Sequence, residues 1–222
     1  MRKIPVAPVT QSVKKAPLPI LRRLSIYHQI LTEMKERRVE MTSSTIISNA
    51  VEYKPIQVRK DLQILGLVGK PKIGFHVDEL LDAIKRYVGW SKEHRAVLIG
   101  VGNLGSALLN YPWLAEYGLR FIAAFDVSKK RSTMIVNHIP IQPLNHFPKY
   151  VRTHTVDIAV IAVPISAAQD VTDMVVSAGI QGIWNFSATP LKTPAHVMVE
   201  NAIFTQSLAV LTRRLSESKI KK

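Results

Sequence analysis

Cysteine is absent from all 222 residues. That excludes a disulfide framework, thiol catalysis and cysteine-ligated zinc, and it fits a reducing compartment. Long apolar runs are absent as well. The longest, residues 158–165, is eight residues long and contains Pro164, whereas a membrane-spanning helix needs about 20. The opening MRKIPVAPVTQSVKKAPLP is basic and broken by prolines, without the apolar stretch of a signal peptide. None of the six tyrosines (27, 53, 87, 111, 117 and 150) has a lysine four residues later, so the Tyr–Lys proton relay of short-chain reductases is missing. The seven histidines show no metal-ligand spacing. A soluble, cytoplasmic protein without a recognisable proton-transfer or metal centre is expected.

What is present is apolar content for a real core, at 47% hydrophobic, and a length that suits two compact domains. Acidic residues are scarce. Residues 1–90 hold 16 Lys+Arg against 8 Asp+Glu and residues 91–222 hold 14 against 8, so the shorter segment carries more than half of the +14 excess. Such a balance favours polyanions, nucleic acid above all. A generically basic soluble protein is the plain alternative.

Residues 1–19, with four prolines and four basic residues, read as a flexible basic arm. A helix is expected over 20–38, with Leu24, Tyr27, Ile30, Leu31 and Met34 at three- and four-residue spacings. TSSTIISNA reads as a short helix capped by Thr42 or Ser43. EYK is a turn, and PIQVRKDLQIL a second helix with Pro55 in its first turn and Gly66 at its stop. GLV and GFHV flank GKPKI as a hairpin with a basic tip. Helix, short helix, turn, helix and basic hairpin is the order of a winged helix-turn-helix over 20–90.

In the second of the paired helices Ile56, Val58, Leu62 and Leu65 form the expected buried face, leaving Gln57, Arg59, Lys60 and Gln63 outward. In a helix-turn-helix this element enters the major groove. Arg59 suits guanine, and Gln57 or Gln63 suits adenine. Lys54, Lys70 and Lys72 suit phosphates, which position without specifying. A small helical packing domain with a solvated basic face is the competing reading.

DELLDAIKRYVGW forms one more amphipathic helix, and 91–94 the boundary. From residue 95 apolar strands alternate with helices, the pattern of a parallel sheet covered on both faces. RAVLIG leads into Gly100, Gly102 and Gly105, spaced G-x-G-x-x-G, and NLGSALLNYPWL opens a helix. The first glycine permits a tight turn, the second a close backbone approach to a pyrophosphate, and the third close helix–strand packing. FIAAFD ends a second strand at Asp126, 21 residues after Gly105, where an acid can hold the adenosine ribose hydroxyls. That favours NAD(H). Lys129, Lys130 and Arg131 follow at once and can oppose the charge of Asp126, so NADP(H) stays open. Residues 95–201 form the expected Rossmann domain and 202–217 a closing helix.

Taken together, VRKDLQILG, LIGVGNLGSAL, FDV, AVP, AAQ, GIQGIWNF and VEN make the chain resemble the Rex family of bacterial redox-sensing transcriptional repressors, from about residue 18 to 215. The resemblance implies an α/β homodimer. Each subunit has an N-terminal winged helix and a Rossmann-like parallel sheet, and the C-terminal helix is swapped between subunits. It also implies a double-stranded DNA operator that is held with NAD+ and released with NADH.

By the same resemblance, Gly100, Gly102, Asn103, Leu104 and Gly105 match the phosphate loop, and Asp126 the adenosine-binding acid. Val163, Pro164, Asn185 and Phe186 match the surroundings of the nicotinamide. Arg59 and Lys60 match the basic pair of the recognition helix. Arg23 and Tyr111 match an arginine and a tyrosine of the redox switch.

Three departures stand out. Ile203 replaces the aspartate that completes the switch, so Arg23 is expected to sit elsewhere or stay solvated, since a buried unpaired arginine is costly. Pro71 and Lys72 replace an arginine and a glycine of the wing. Leu62 and Leu65 replace aromatics. The readings in play are therefore an NADH/NAD+-responsive repressor, a related DNA-binding paralogue with weakened or lost sensing, an NAD(P)-dependent oxidoreductase with a basic extension, and a CoA- or nucleotide-binding scaffold.

Overall fold

The computed structural model describes residues 17–71 and 73–220, the side chains of 219 and 220 excepted. The arm through residue 16 and Lys72 lie outside the described residues. The chain divides into two compact units between Ser91 and Lys92.

The N-terminal unit is helical. Helix α1 (Leu18–Glu36) begins two residues before the expected start, inside the segment read as an arm. Pro17 is its N-cap and Pro19 lies in its first turn, where a missing N–H leaves no hydrogen bond unmade. Strand β1 (Met41–Thr42) leads into α2 (Ser44–Asn49), capped by the Ser43 hydroxyl accepting the Ile46 N–H at 3.2 Å. Then come α3 (Pro55–Ile64), β2 (Phe75–His76) and α4 (Val77–Val88), which stops at left-handed Gly89. Leu24, Tyr27, Leu31, Ile47, Val58, Leu62, Leu80 and Ile84 form the core, all fully buried.

Two details differ from expectation. Ile56 is 53% exposed. The buried side of α3 is set by Val58, Asp61 and Leu62, and Ile56 lies about 160° around the helix from Val58 at ~100° per residue. The apolar GFHV stretch pairs with Met41–Thr42 rather than with GLV. The wing is closed at its tip by a Lys70–Gly74 bridge, its two N–H···O bonds both 2.8 Å. Gly74 is required there: its φ is +99°, and a Cβ would stand 2.1 Å from the Thr42 carbonyl oxygen.

The C-terminal unit is a seven-stranded sheet in the order β5-β6-β4-β3-β7-β8-β9. Its strands are β3 (His94–Ile99), β4 (Leu119–Asp126), β5 (Ile135–Val136), β6 (Ile139–Pro143), β7 (Ile158–Ile161), β8 (Gly182–Asn185) and β9 (Met198–Asn201). Only the β5–β6 pair is antiparallel. The six parallel strands follow the 3-2-1-4-5-6 order of a Rossmann sheet.

Alternate residues of the central strands feed two cores. Val97, Ile99, Phe125 and Ile161 pack against α6 (Phe147–Thr153) and α7 (Ile165–Ser177). Ala96, Leu98, Ala124 and Val160 pack with Leu109 of α5 (Asn103–Leu109). Helix α8 (Phe204–Ile220) closes the chain. Sequence reasoning did not identify the β5–β6 hairpin or β9. The hairpin turns through Asn137 and His138, both at positive φ (47° and 64°), as its two-residue turn demands.

His28 is buried in the N-terminal unit, with the Trp90 ring edge-on at 5.2 Å. Burial, with the charge of Lys85, pushes its pKa down to about 4. The unfolded chain therefore takes up this proton first, and stability rises with pH across the window between. The His28 contribution is complete above about pH 6.5 and is lost as pH falls toward about 4. We expect the unfolding free energy to drop by on the order of 1 kcal/mol from about pH 7 to about pH 5. Urea denaturation at the two pH values measures it, and the His28→Gln variant should show a smaller drop.

Candidate functional site

Helix α3 presents an exposed basic face. Lys54, Arg59, Lys60 and Gln63 are exposed, and so is Lys70 on the wing. Arg59, Gln63 and Lys70 line a common groove of about 490 Å³ with the Ser43, Ser44 and Thr45 segment at the start of α2. In the sequence Ser43 signalled only a helix cap, yet Ser43, Ser44 and Thr45 border the same groove.

Gln57 is not among the outward side chains. It is half-buried, and its Nε2 donates to Asp61 Oδ1 at 2.9 Å. The cause is Asp61, 1% exposed, whose carboxylate accepts four hydrogen bonds. Arg23 donates from Nε at 2.6 Å and from Nη2 at 2.8 Å, and the Tyr27 hydroxyl donates at 2.9 Å. Arg23 therefore has a carboxylate, with only 17% of its side chain exposed. Of the two outcomes expected for Arg23, the structure shows it not solvated but seated elsewhere, against Asp61. Burial alone would push Asp61 up, but the bonds from Arg23, Gln57 and Tyr27 outweigh it and hold its carboxyl below the usual range. Burial and the bond to Asp61 push the Tyr27 hydroxyl up.

In the C-terminal unit a cavity of about 630 Å³ lies where β3 and β7 end, at the point where the strand order reverses. Gly100 sits at φ +93°, and a Cβ on it would meet the Ala162 carbonyl oxygen at 2.5 Å. A Cβ on Gly105 would come 2.0 Å from the Gly100 carbonyl oxygen. Gly102 differs. It caps α5, and nothing lies within 4 Å of where its Cβ would be. The open space beside Gly102 lies within the cavity, which suits a group that must approach the backbone closely.

Of the residues expected at the cofactor, Gly100, Gly102, Asn103, Leu104, Asp126, Val163, Pro164 and Phe186 line this cavity. Gly105 lies beneath it as a packing residue. Asn185 does not line it either. Fully buried, its amide donates to the Thr189 carbonyl and to Asn201 Oδ1, both at 2.8 Å, while its own oxygen accepts the Ser187 N–H at 2.9 Å. It holds the turn that carries Phe186 rather than facing a ligand.

Asp126 is 5% exposed and braces the glycine loop: Oδ2 accepts the Val101 N–H at 2.7 Å and Oδ1 the Ser128 N–H at 2.8 Å. Val127, Arg131, Leu144, Ala167 and Asp170 also line the cavity and were not singled out as its walls from sequence. Tyr111 is 54% exposed, at the cap of the short turn Pro112–Leu114. Ile203 is half-buried between β9 and α8. Among the described residues no group of three or more His, Cys, Asp or Glu side chains could hold a metal ion. None of the described helices is long and apolar enough to cross a membrane.

Comparison with known proteins gives two family models. A CoA binding domain matches residues 91–189, and a putative DNA-binding protein N-terminus matches residues 15–63. The redox-sensing transcriptional repressor Rex of Treponema denticola is 37% identical over 193 residues, covering 87% of this chain and 92% of that protein. That of Bacteroides thetaiotaomicron is 37% identical over 207 residues, covering 93% and 94%. Among solved structures, RSP in complex with beta-NAD+ and operator DNA matches with a TM-score of 0.85 at 29% identity, over 93% of this chain and 95% of that one. RSP in complex with beta-NADH matches with a TM-score of 0.84 at 28% identity, over 93% and 97%.

The Asp61 cluster generates a stability test. Asp61→Ala leaves the Arg23 guanidinium and the Tyr27 hydroxyl without their acceptor, and we expect a loss of about 3 kcal/mol in urea denaturation. The double variant Arg23→Met/Asp61→Leu should recover the part due to the unpaired guanidinium, because an apolar pair carries no desolvation penalty, while the buried Tyr27 hydroxyl still lacks its acceptor.

Proposed function

The chain belongs to the Rex family of redox-sensing transcriptional repressors, and on that premise we propose that it binds a DNA operator with an affinity set by the NADH/NAD+ ratio. The observation that carries this reading is the pairing, in one chain, of a basic recognition face with a glycine-lined nucleotide cavity. Arg59, with two parallel donors, reads a guanine edge, and Gln63 an adenine. Lys54, Lys60 and Lys70, with Lys72, hold phosphates and set register. Gln57 helps satisfy the buried Asp61 carboxylate of its own helix instead of reading a base.

NAD(H) fits the cavity. The gap at Gly102 admits a pyrophosphate, Asp126 marks the ribose end, and Val163, Pro164 and Phe186 give the nicotinamide apolar walls. The nicotinamide supplies the redox difference that is sensed. The protein's own residues bind and orient it. No side chain stands as an evident proton donor, and we read the chain as a regulator that does not turn the nucleotide over.

Helix α8 supports a homodimer. Phe204, Leu208, Leu211 and Leu215 recur every three or four residues and are 54–65% exposed, a stripe that a second subunit would cover. Two recognition helices then face half-sites on one side of the duplex. NADH releases DNA only if it binds a second dimer geometry better than the first. The protein acts in the cytoplasm, where its DNA and its nucleotide are.

One observation favours a second reading, in which sensing is weakened. Ile203 supplies no carboxylate, and Arg23 is already paired with Asp61 within its own unit.

Fluorescence anisotropy with a palindromic Rex-type operator at fixed salt tests both. NADH is expected to release the duplex and NAD+ to retain it. Tight binding indifferent to both nucleotides would favour the second reading, and Ile203→Asp should then bring NADH sensitivity back. Arg59→Ala is expected to weaken operator binding by about tenfold or more while NADH affinity is unchanged. Equal operator affinity in variant and parent would remove α3 as the reading element.

A further inference from the structure

The adenosine end of the nucleotide cavity has an unusual charge arrangement. In this fold an acid at the end of the second strand hydrogen-bonds the ribose 2′-hydroxyl, and a nearby arginine accommodates a 2′-phosphate. Here both are present. Asp126 is turned inward, each carboxylate oxygen accepting a backbone N–H, and Arg131 Nη1 stands 3.5 Å from Oδ2. Arg131 keeps 46% of its side chain exposed while Asp126 keeps 4%, so the cation and not the acid is presented to solvent.

The turn that carries Arg131 is ordered. Its N–H bonds the Ser128 carbonyl at 3.1 Å, and the Met134 N–H bonds the Arg131 carbonyl at 2.9 Å. Beyond Asp126 a second hollow of about 640 Å³ opens. It shares Asp126, Val127 and Leu144 with the nucleotide cavity and adds Lys129, Ser132 and His146. Asp170, the other acid of the nucleotide cavity, does not line this hollow. A 2′-phosphate carries about −1.5 to −2 charge at neutral pH. It would meet a carboxylate turned inward onto two backbone N–H groups, a guanidinium suited to bidentate phosphate binding and the Lys129 ammonium.

We infer that the nucleotide site accepts 2′-phosphorylated adenosine, so that NADP(H) binds alongside NAD(H), with Lys129 and Arg131 as the residues that take the phosphate. This rests on the reading of the 630 Å³ cavity as the nicotinamide dinucleotide site. It widens what the protein senses from one reduced nucleotide to two.

The test is nicotinamide fluorescence titration of the full chain with NADH and with NADPH, without DNA. NADPH is expected to bind within about tenfold of NADH, and its affinity to fall more steeply with added salt because of the extra charge. Lys129→Ala/Arg131→Ala should weaken NADPH by about tenfold or more beyond whatever loss it causes in NADH. NADPH binding more than about a hundredfold weaker than NADH overturns the inference and leaves the NAD(H) reading standing. So does an equal loss of both nucleotides in the double variant, which would make the turn a structural element. Failure of both nucleotides to bind the parent chain overturns the cavity assignment and this inference together.

Discussion

The C-terminal unit turns on a backbone crossing that admits no side chain. Helix α5 leaves the end of β3 so tightly that a methyl group at Gly105 would overlap the Gly100 carbonyl, and one at Gly100 would overlap Ala162 at the end of β7. That crossing seats the helix at the junction where the strand order reverses, and the cavity opens there because chains diverge to either side of it. Asp126 ties the same loop to the end of β4 through the Val101 N–H. Strand ends, glycine loop and cavity wall are thereby tied together, above the fully buried Val97, Leu98, Phe125 and Ile161.

The N-terminal unit depends in a similar way on one buried carboxylate. Asp61 gathers Arg23 and Tyr27 from α1 and Gln57 from its own helix. Placing a charge there is costly unless every lone pair is engaged, and four donors engage it. The consequence is orientation. With Gln57 drawn in, the polar side chains left outward on α3 and at its N-cap are Lys54, Arg59, Lys60 and Gln63. The geometry of the reading surface is thus fixed by an acid that never touches it.

Both units use an inward-turned aspartate to set what faces outward, and the two cases carry different functional weight. Asp61 engages Arg23, the arginine that the resemblance matches to the switch, and position 203 carries Ile203 rather than a carboxylate. Asp126 is turned inward at one end of the cavity, with Arg131 Nη1 3.5 Å from Oδ2. In this chain the departures from the family pattern lie at the switch (Ile203), in the wing (Pro71 and Lys72) and on the apolar side of α3 (Leu62 and Leu65), whereas the glycine turn keeps the pattern.

By itself the sequence determined the alternation of strands and helices, the glycine turn, the 119–126 strand ending in an acid, and the basic helix opened by Pro55. Each rests on local physics: a period of 2 or 3.6, a residue without a side chain, a ring that fixes φ. Only the tertiary structure decided that Ile56 faces outward and Gln57 turns in, that GFHV pairs with residues 41–42, that Asn185 braces a turn, and that Arg23 finds Asp61, 38 positions away. These depend on which distant groups a fold brings within hydrogen-bonding reach. A buried charge takes the nearest satisfying partner in space, and periodicity along the chain carries no record of that distance.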